Sequence, residues 1–138
     1  MCIFCQIINS KAPSYKVYED IYTIAFLDIN PITDGHVLLL PKYHTQYIEN
    51  LPLEVIDALF KTMIKILPPI NRAMKVTDSN ITINNGPNAG QIIPHVHIHV
   101  IPRPTKLVGL ASKRNQPHNN EYFFEIMKKI KKEITISR

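Results

Sequence analysis

The stretch Pro94-His95-Val96-His97-Ile98-His99-Val100-Ile101-Pro102 governs how the rest of this chain is read. Three histidines alternate with three apolar β-formers. A period of two predicts a strand, with His95, His97 and His99 on one face and Val96, Ile98 and Val100 on the other. The apolar face packs on a core, and the histidine face lines something polar. A solvated edge strand is the plain alternative, but Lys and Thr make a strand soluble better than His does. Two chemical readings compete. Histidine is the commonest metal ligand, yet residues four steps apart in a strand are about 13 Å from one another. Zinc draws its ligand atoms to about 2 Å, so at most a neighbouring pair could share an ion. Alternatively one neutral imidazole is a nucleophile that forms a covalent intermediate. Its neighbours on the same face, about 7 Å along the strand, then donate hydrogen bonds to charged oxygens.

The other 129 positions bound the answer. At 138 residues with 45% hydrophobic content, the chain holds one domain with a single core. No apolar run approaches about 18 residues, so no membrane span is expected. Met1-Cys2-Ile3-Phe4-Cys5 has no basic segment ahead of an apolar run, so no signal peptide is expected and the location reads as cytoplasmic. A net charge of +5 suits an anionic ligand such as phosphate. Much of that charge is carried by Lys113, Arg114 and the lysines between 128 and 132, which read first as a solvated helix face. Aromatics and a basic stripe are nowhere interleaved, so nucleic acid is not an expected partner.

Working outward, Cys2-Ile3-Phe4-Cys5 is a C-x-x-C, which in a reducing compartment reads as metal or redox chemistry. No βαβ pattern surrounds it, which weakens a thioredoxin-like reading. Two thiolates make half a zinc site; buried reduced cysteines are the alternative. A short helix is expected over about residues 3–9. Short strands follow at Lys16 to Glu19 and Tyr22 to Asp28, then a buried strand from His36 to Leu40 that Pro41 stops. Asp28 is either a turn former or a hydroxyl acceptor at a strand end. His36 and His44 flank the third strand, and each taken alone is structural. Asn50-Leu51-Pro52 starts a helix with an apolar stripe of Ile56, Leu59, Phe60, Met63, Ile64 and Leu67. Pro68-Pro69 is expected to break or kink it. Ser79 to Asn84 is a strand with Ile81 and Ile83 inward. Asn84-Asn85-Gly86-Pro87-Asn88-Ala89-Gly90 is a tight polar loop: its glycines could converge backbone N–H groups into an anion-binding nest, and a plain connecting loop is the equal alternative. After Arg103 the composition loosens, and an amphipathic helix is expected over about 120–134, with Glu121 and Glu125 early and lysines late.

His-Val-His-Ile-His-Val at 95–100 resembles the signature of the histidine-triad (HIT) nucleotide-binding superfamily. Cys2-Ile3-Phe4-Cys5, Ala25-Phe26-Leu27-Asp28-Ile29-Asn30-Pro31, Gly35-His36-Val37-Leu38-Leu39-Leu40-Pro41-Lys42 and Asn84-Asn85-Gly86…Ala89-Gly90-Gln91 support the resemblance. It covers about residues 2–103. It implies an α+β, HIT-like fold: a five-stranded antiparallel sheet with a long helix, a short N-terminal helix and a C-terminal helix. The HIT domain would span 1–103, and 104–138 would be an extension packed on the same domain.

The resemblance also implies a nucleotide hydrolase or transferase. It would act at the α-phosphorus of nucleoside phosphoramidates or dinucleoside polyphosphates and release an AMP-type product. His97 would be the nucleophile, forming a nucleotidyl-histidine, with His99 and His36 as the other catalytic histidines. Asn84, Gly90 and Gln91 would hold phosphate oxygens, and Asp28 the ribose hydroxyls. Ile3, Phe4, Ile7, Phe26 and Leu38 would form the purine slot. Cys2, Cys5, His44 and His95 would hold structural zinc, and a homodimer is implied. Ile92 stands where many relatives carry Ser or Thr, so one hydroxyl contact to phosphate is missing. That departure leaves a non-catalytic purine-nucleotide-binding sensor as the alternative. A zinc hydrolase built on two triad histidines is a further rival.

Overall fold

Thr23–Leu27 and Val37–Pro41 are apolar or buried at every position because both faces of the sheet are covered there. A computed structural model describes residues 2–106 and 117–137. The elements in chain order are α1 (Ile3–Ile8), β1 (Lys16–Glu19), β2 (Thr23–Leu27), β3 (Val37–Pro41), α2 (Leu53–Met74), β4 (Asp78–Ile83), β5 (Ile98–Arg103) and α3 (Asn120–Ile136). The strands form one antiparallel sheet in the order β1-β2-β3-β5-β4, so the fold is α+β as expected.

Strand alternation sorts the side chains into two layers. Ala25, Leu27, Val37, Leu39, Ile98 and Val100 face α2 and α3 in the main core. Ile24, Phe26, Leu38 and Leu40 face the other way, against Phe4 of α1 with Cys2, Ile7, Ile8 and Ile93 around it. His99 lies opposite Leu38 in the β3–β5 register and therefore shares this second face. The five strands thus present a histidine face next to an apolar slot, while the helices close the other side.

Several local expectations need correction. The β5 ladder begins at Ile98 rather than His95 and runs on through Pro102 to Arg103. Only Ile98, His99 and Val100 pair with β3, so Pro102 lies beyond that ladder, where its missing N–H costs nothing on the β3 side. Likewise Pro41 is the last residue of β3, opposite Thr23, rather than a stop before it. Helix α2 runs unbroken through Pro68 and Pro69. The two carbonyls deprived of a donor belong to Ile64 and Lys65, both exposed, where water can satisfy them. Burial of Ile66, Pro69 and Ile70 holds the helix on either side of the pair.

The α2 stripe is also rotated from the one expected. Its buried residues are Val55, Leu59, Thr62, Ile66, Pro69 and Ile70, whereas Phe60 and Ile64 are exposed. Ile81 shares the core face by register with Val100, but its edge position leaves it exposed; Ile83 packs partly on the core. Helix α3 is capped by the Asn119 side chain, which accepts from the Tyr122 N–H. It buries Phe123, Ile126, Ile130 and Ile134 against the same core. Its lysines stop short of the last turn. Residues 107–116, including Lys113 and Arg114 of the loose stretch, lie outside the described residues. Among the described residues no helix is long and apolar enough to cross a membrane.

One glycine is forced by its surroundings. Gly35 has φ +83°, and a Cβ there would lie 2.5 Å from Met74 Cγ at the end of α2. Gly35→Ala is expected to destabilise the protein by about 1–3 kcal/mol, from the left-handed backbone and the displaced methionine. Thermal unfolding measures it; an unchanged midpoint would show that the turn before β3 can be rebuilt freely.

Candidate active site and metal centre

The positions of protons on the histidines follow from their backbone partners. His97 Nδ1 lies 2.7 Å from the carbonyl oxygen of His95, which can only accept. His97 therefore carries its proton on Nδ1 and leaves Nε2 as a lone pair. The ring is held from the side by Phe4, whose ring meets it edge-on at 5.0 Å, and it neighbours His99 at 5.0 Å. Burial pushes the His97 pKa below the ordinary histidine value, opposed by the His95 carbonyl and by Asp28. The lone pair is accordingly present at neutral pH.

A second chain of protons ends at His99. The Ile32 N–H donates to His36 Nδ1 at 3.0 Å, so neutral His36 carries its proton on Nε2. That nitrogen lies 3.0 Å from His99 Nδ1 and 3.5 Å from an oxygen of Asp28. His99 Nδ1 accepts, and the His99 proton sits on Nε2. His36 is 1% exposed and His99 9%, so the pair works out of bulk water. The order His97 lone pair, His99 N–H and His36 behind it follows from two backbone groups, the His95 carbonyl and the Ile32 amide. Residue type does not signal either one, since every residue but proline has both groups and only the register selects among them.

His95 is different. Its Nε2 lies 2.8 Å from the Pro41 carbonyl, which fixes the proton there and turns a bare Nδ1 toward Cys2, Cys5 and His44. The six separations among Cys2 Sγ, Cys5 Sγ, His44 Nδ1 and His95 Nδ1 run from 3.1 to 3.7 Å. A regular tetrahedron around zinc has edges of about 3.8 Å between sulfurs and about 3.3 Å between nitrogens. The nitrogen–nitrogen edge of 3.1 Å and the mixed edges of 3.3–3.7 Å lie near those of such a tetrahedron, while the sulfur–sulfur edge of 3.2 Å is shorter, so the sulfurs would have to part to admit an ion. Both cysteines are free thiols. Burial and the neighbouring Cys2 push the Cys5 thiol up to about 11, and burial drives His95 down to about 4. A metal would have to displace thiol protons, while His95 is already neutral as a ligand must be. Asp28, His36 and His99 also lie close enough to hold an ion. There the Ile32 amide keeps His36 Nδ1 as the acceptor and so keeps a proton on the nitrogen a metal would need.

Of the apolar slot, Phe4, Ile7, Phe26 and Leu38 come together, with Phe4 and Phe26 edge-to-face at 5.6 Å. Ile3 stands apart, exposed on α1. Asp28 makes a turn contact and a second contact toward the histidines. One oxygen accepts from the Asn30 N–H at 2.8 Å, a turn contact, and the other faces His36. The loop at 84–91 departs from the nest expected of it. The N–H groups of Ala89, Gly90 and Gln91 are consumed by carbonyls of Gly86 and Pro87 within the loop. The Gln91 side chain is buried too, accepting from the Gly86 N–H and donating to the Gln46 carbonyl. Gln91 thus closes the loop. Asn84 Nδ2 donates weakly to the Gly90 carbonyl at 3.4 Å, and Ile92 is 86% exposed at the loop's exit.

Comparison with known proteins agrees with this geometry. The HIT domain family model matches residues 9–106. The chain belongs to the HIT family. An uncharacterised HIT-like protein from Borreliella burgdorferi is 44% identical over 126 residues, 87% of each chain. The adenosine 5′-monophosphoramidase of Saccharomyces cerevisiae is 41% identical over 109 residues, 79% of this HIT protein and 66% of the yeast one. Among solved structures, a zinc-bound histidine triad family protein from Mycobacterium smegmatis superposes with a TM-score of 0.84. It is 30% identical, over 98% of this chain and 94% of that one. The family supports nucleotide binding and hydrolase chemistry for this HIT protein.

Proposed function

We propose that the protein is a purine nucleoside phosphoramidase or dinucleoside polyphosphate hydrolase working through a covalent nucleotidyl-His97 intermediate. The observation that carries this is the His97 Nδ1–H bond to the His95 carbonyl, which aims a bare Nε2 away from its own backbone. That lone pair attacks the α-phosphorus. The bond from phosphorus to the leaving amine or phosphate breaks, and the leaving group departs with its electron pair and takes up a proton. The His99 Nε2–H, steadied by His36, hydrogen-bonds the charge that develops on phosphate oxygens or leaving group. Water then attacks phosphorus, the phosphorus–Nε2 pair returns to His97, and the proton lost by water balances the one gained by the leaving group. The nucleoside monophosphate is released.

Phe4, Ile7, Phe26 and Leu38 receive the base, with Ile3 at its exposed margin. Asn84 meets phosphate with its side chain, since the amides of Ala89, Gly90 and Gln91 are spent within the loop, and Asp28 accepts from the ribose. Zinc at Cys2, Cys5, His44 and His95 is structural, a charge centre that fastens α1 to the sheet. Residues 1–103 form the HIT domain and 104–138 an extension packed on it. The edge strand β4 with its exposed Ile81, and the exposed Phe60 and Ile64 of α2, suit a homodimer. The reduced thiols suit a cytoplasmic protein.

A single turnover with an adenosine phosphoramidate, quenched in acid-free denaturant and assayed for protein-bound nucleotide, tests the intermediate. Bound AMP on His97 is expected; binding with no turnover would favour the sensor reading that Ile92 leaves open. Asp28 is tested separately. Asp28→Ala is expected to weaken AMP about tenfold and 2′-deoxy-AMP by less than about threefold, because a lost acceptor matters most where both hydroxyls are present. Equal weakening of the two ligands, read by calorimetry, would leave Asp28 as a turn residue only.

A further inference from the structure

The turn between β2 and β3 sets the His36 tautomer, and a residue of the C-terminal extension is fastened to it. Ile32 supplies the amide that bonds His36 Nδ1, and the His36 N–H in turn donates to the Thr33 carbonyl at 3.2 Å. Asp34 lies between these contacts and is exposed on the protein surface. Among the described residues, three contacts fasten the turn from outside. The Thr33 hydroxyl donates to the Pro102 carbonyl at 2.6 Å, Gly35 is pressed against Met74, and the Tyr122 hydroxyl donates to Asp34 Oδ1 at 2.5 Å. The first two come from within 1–103. The third comes from α3, more than eighty residues along the chain. The Tyr122 ring is itself fixed by stacking on His118 at 3.6 Å, and burial together with Asp34 pushes its hydroxyl pKa upward, keeping it a donor.

We propose that Tyr122 is a positioning residue whose hydroxyl, through Asp34, holds the Ile32–His36 turn and so the proton arrangement of the His36–His99 pair. The kinetic part of this rests on the catalytic reading above; the structural part does not. Tyr122 touches neither substrate nor the reacting nitrogen. Losing its hydroxyl lets the turn shift, weakens the Ile32 amide bond and allows His36 to place its proton on Nδ1. In that tautomer His36 has no Nε2–H to give His99, and His99 loses the partner that keeps its own proton on Nε2.

The full chain with Tyr122→Phe tests it. Helix α3 stays docked in this variant, because Phe123, Ile126, Ile130 and Ile134 remain buried and Phe123 still stacks on Tyr15 at 4.9 Å. With adenosine phosphoramidate, kcat is expected to fall about fivefold while KM and AMP affinity stay within about twofold, the signature of a contact felt only in the transition state. Nitrogen-15 spectra at about pH 8, where imidazoles are neutral, should report His36 with Nδ1 bare in the unaltered protein and a mixture of tautomers in Tyr122→Phe. Asp34→Ala should reproduce both changes, Asp34→Asn should keep near-normal values because its amide retains an Oδ1 acceptor, and the double variant should add nothing further. Unchanged kcat and unchanged His36 signals in Tyr122→Phe and Asp34→Ala would overturn the proposal. Absence of turnover in the unaltered protein would overturn the enzyme reading alone, and the His36 signals then decide the role of Tyr122.

Discussion

His97→Ala is expected to turn over at less than about one-thousandth of the unaltered rate while binding AMP within about tenfold. The two numbers separate because His97 contributes different things to binding and to chemistry. In the ground state its ring is one wall among several: Phe4, Phe26 and Leu38 pack together at the proposed base slot, and Asp28, 3.5 Å from His36, is the proposed ribose acceptor. In the proposed reaction its Nε2 is the atom that would bond phosphorus, and neither neighbouring histidine offers a replacement. His99 Nδ1 is engaged with His36, and His95 Nδ1 is turned toward the cysteines. His99→Ala should be slower than the unaltered protein but faster than His97→Ala, since it removes a donor to developing charge and leaves the nucleophile. Rapid quench with the nucleotide-trapping assay measures both. Near-normal turnover by His97→Ala would remove it as the nucleophile and reopen the zinc hydrolase alternative, which metal chelation would then stop at once.

The alternation of three histidines with Val96, Ile98 and Val100 was enough to divide the sheet into its two faces, because a strand's period of two is imposed by backbone geometry and is independent of partners. The strand order was not legible from that pattern; the family resemblance implies five antiparallel strands and leaves their order open. Details that depend on solvent exposure escaped. Whether Phe60 and Ile64 turn inward depends on how α2 rolls on the sheet, and a stripe with apolar residues on adjoining sides permits more than one roll. Residue type predicts a break at Pro68 and Pro69; it does not signal that Ile64 and Lys65, whose carbonyls lose their donors, lie on the exposed side of the helix. At the candidate site, the histidines and cysteines that come together are readable from residue type and order. What orients them is not: the Pro41 and His95 carbonyls and the Ile32 amide are generic groups selected by register. The family resemblance implies that Gln91 holds phosphate, but its side-chain amide accepts from the Gly86 N–H and donates to the Gln46 carbonyl, a partnership that residue type does not signal.

Protein produced without a histidine tag in zinc-supplemented medium is expected to hold about one zinc per chain, on Cys2, Cys5, His44 and His95. The prediction follows from where the four ligands originate. Cys2 caps α1 and Cys5 sits one turn later, His44 lies just beyond β3, and His95 lies just before β5. Because β3 and β5 are antiparallel neighbours, the end of one meets the approach to the other, and the Val96 N–H bonds the Thr45 carbonyl to hold them together. Helix α1 has only six residues, too few to be stable alone. Apart from the ligand set it is held mainly by Phe4 and Ile7 against the second face of the sheet. Cys5→Ser should therefore release α1. A loss of about 3 kcal/mol, modest beside the binding energies of structural zinc sites, would lower Tm by about 10 °C. Phe4 leaves with the helix and no longer meets His97 edge-on, so AMP affinity should fall about tenfold while His97 itself is chemically unchanged. His44→Ala should match Cys5→Ser, and the pair combined should be no worse than either, since each alone already opens the tetrahedron. Elemental analysis, thermal unfolding and AMP titration of the same preparations read the three effects. A metal-free protein with the full Tm would mean that the cysteines are small buried groups, and that His95, no longer a ligand, belongs with His97 on the nucleotide face.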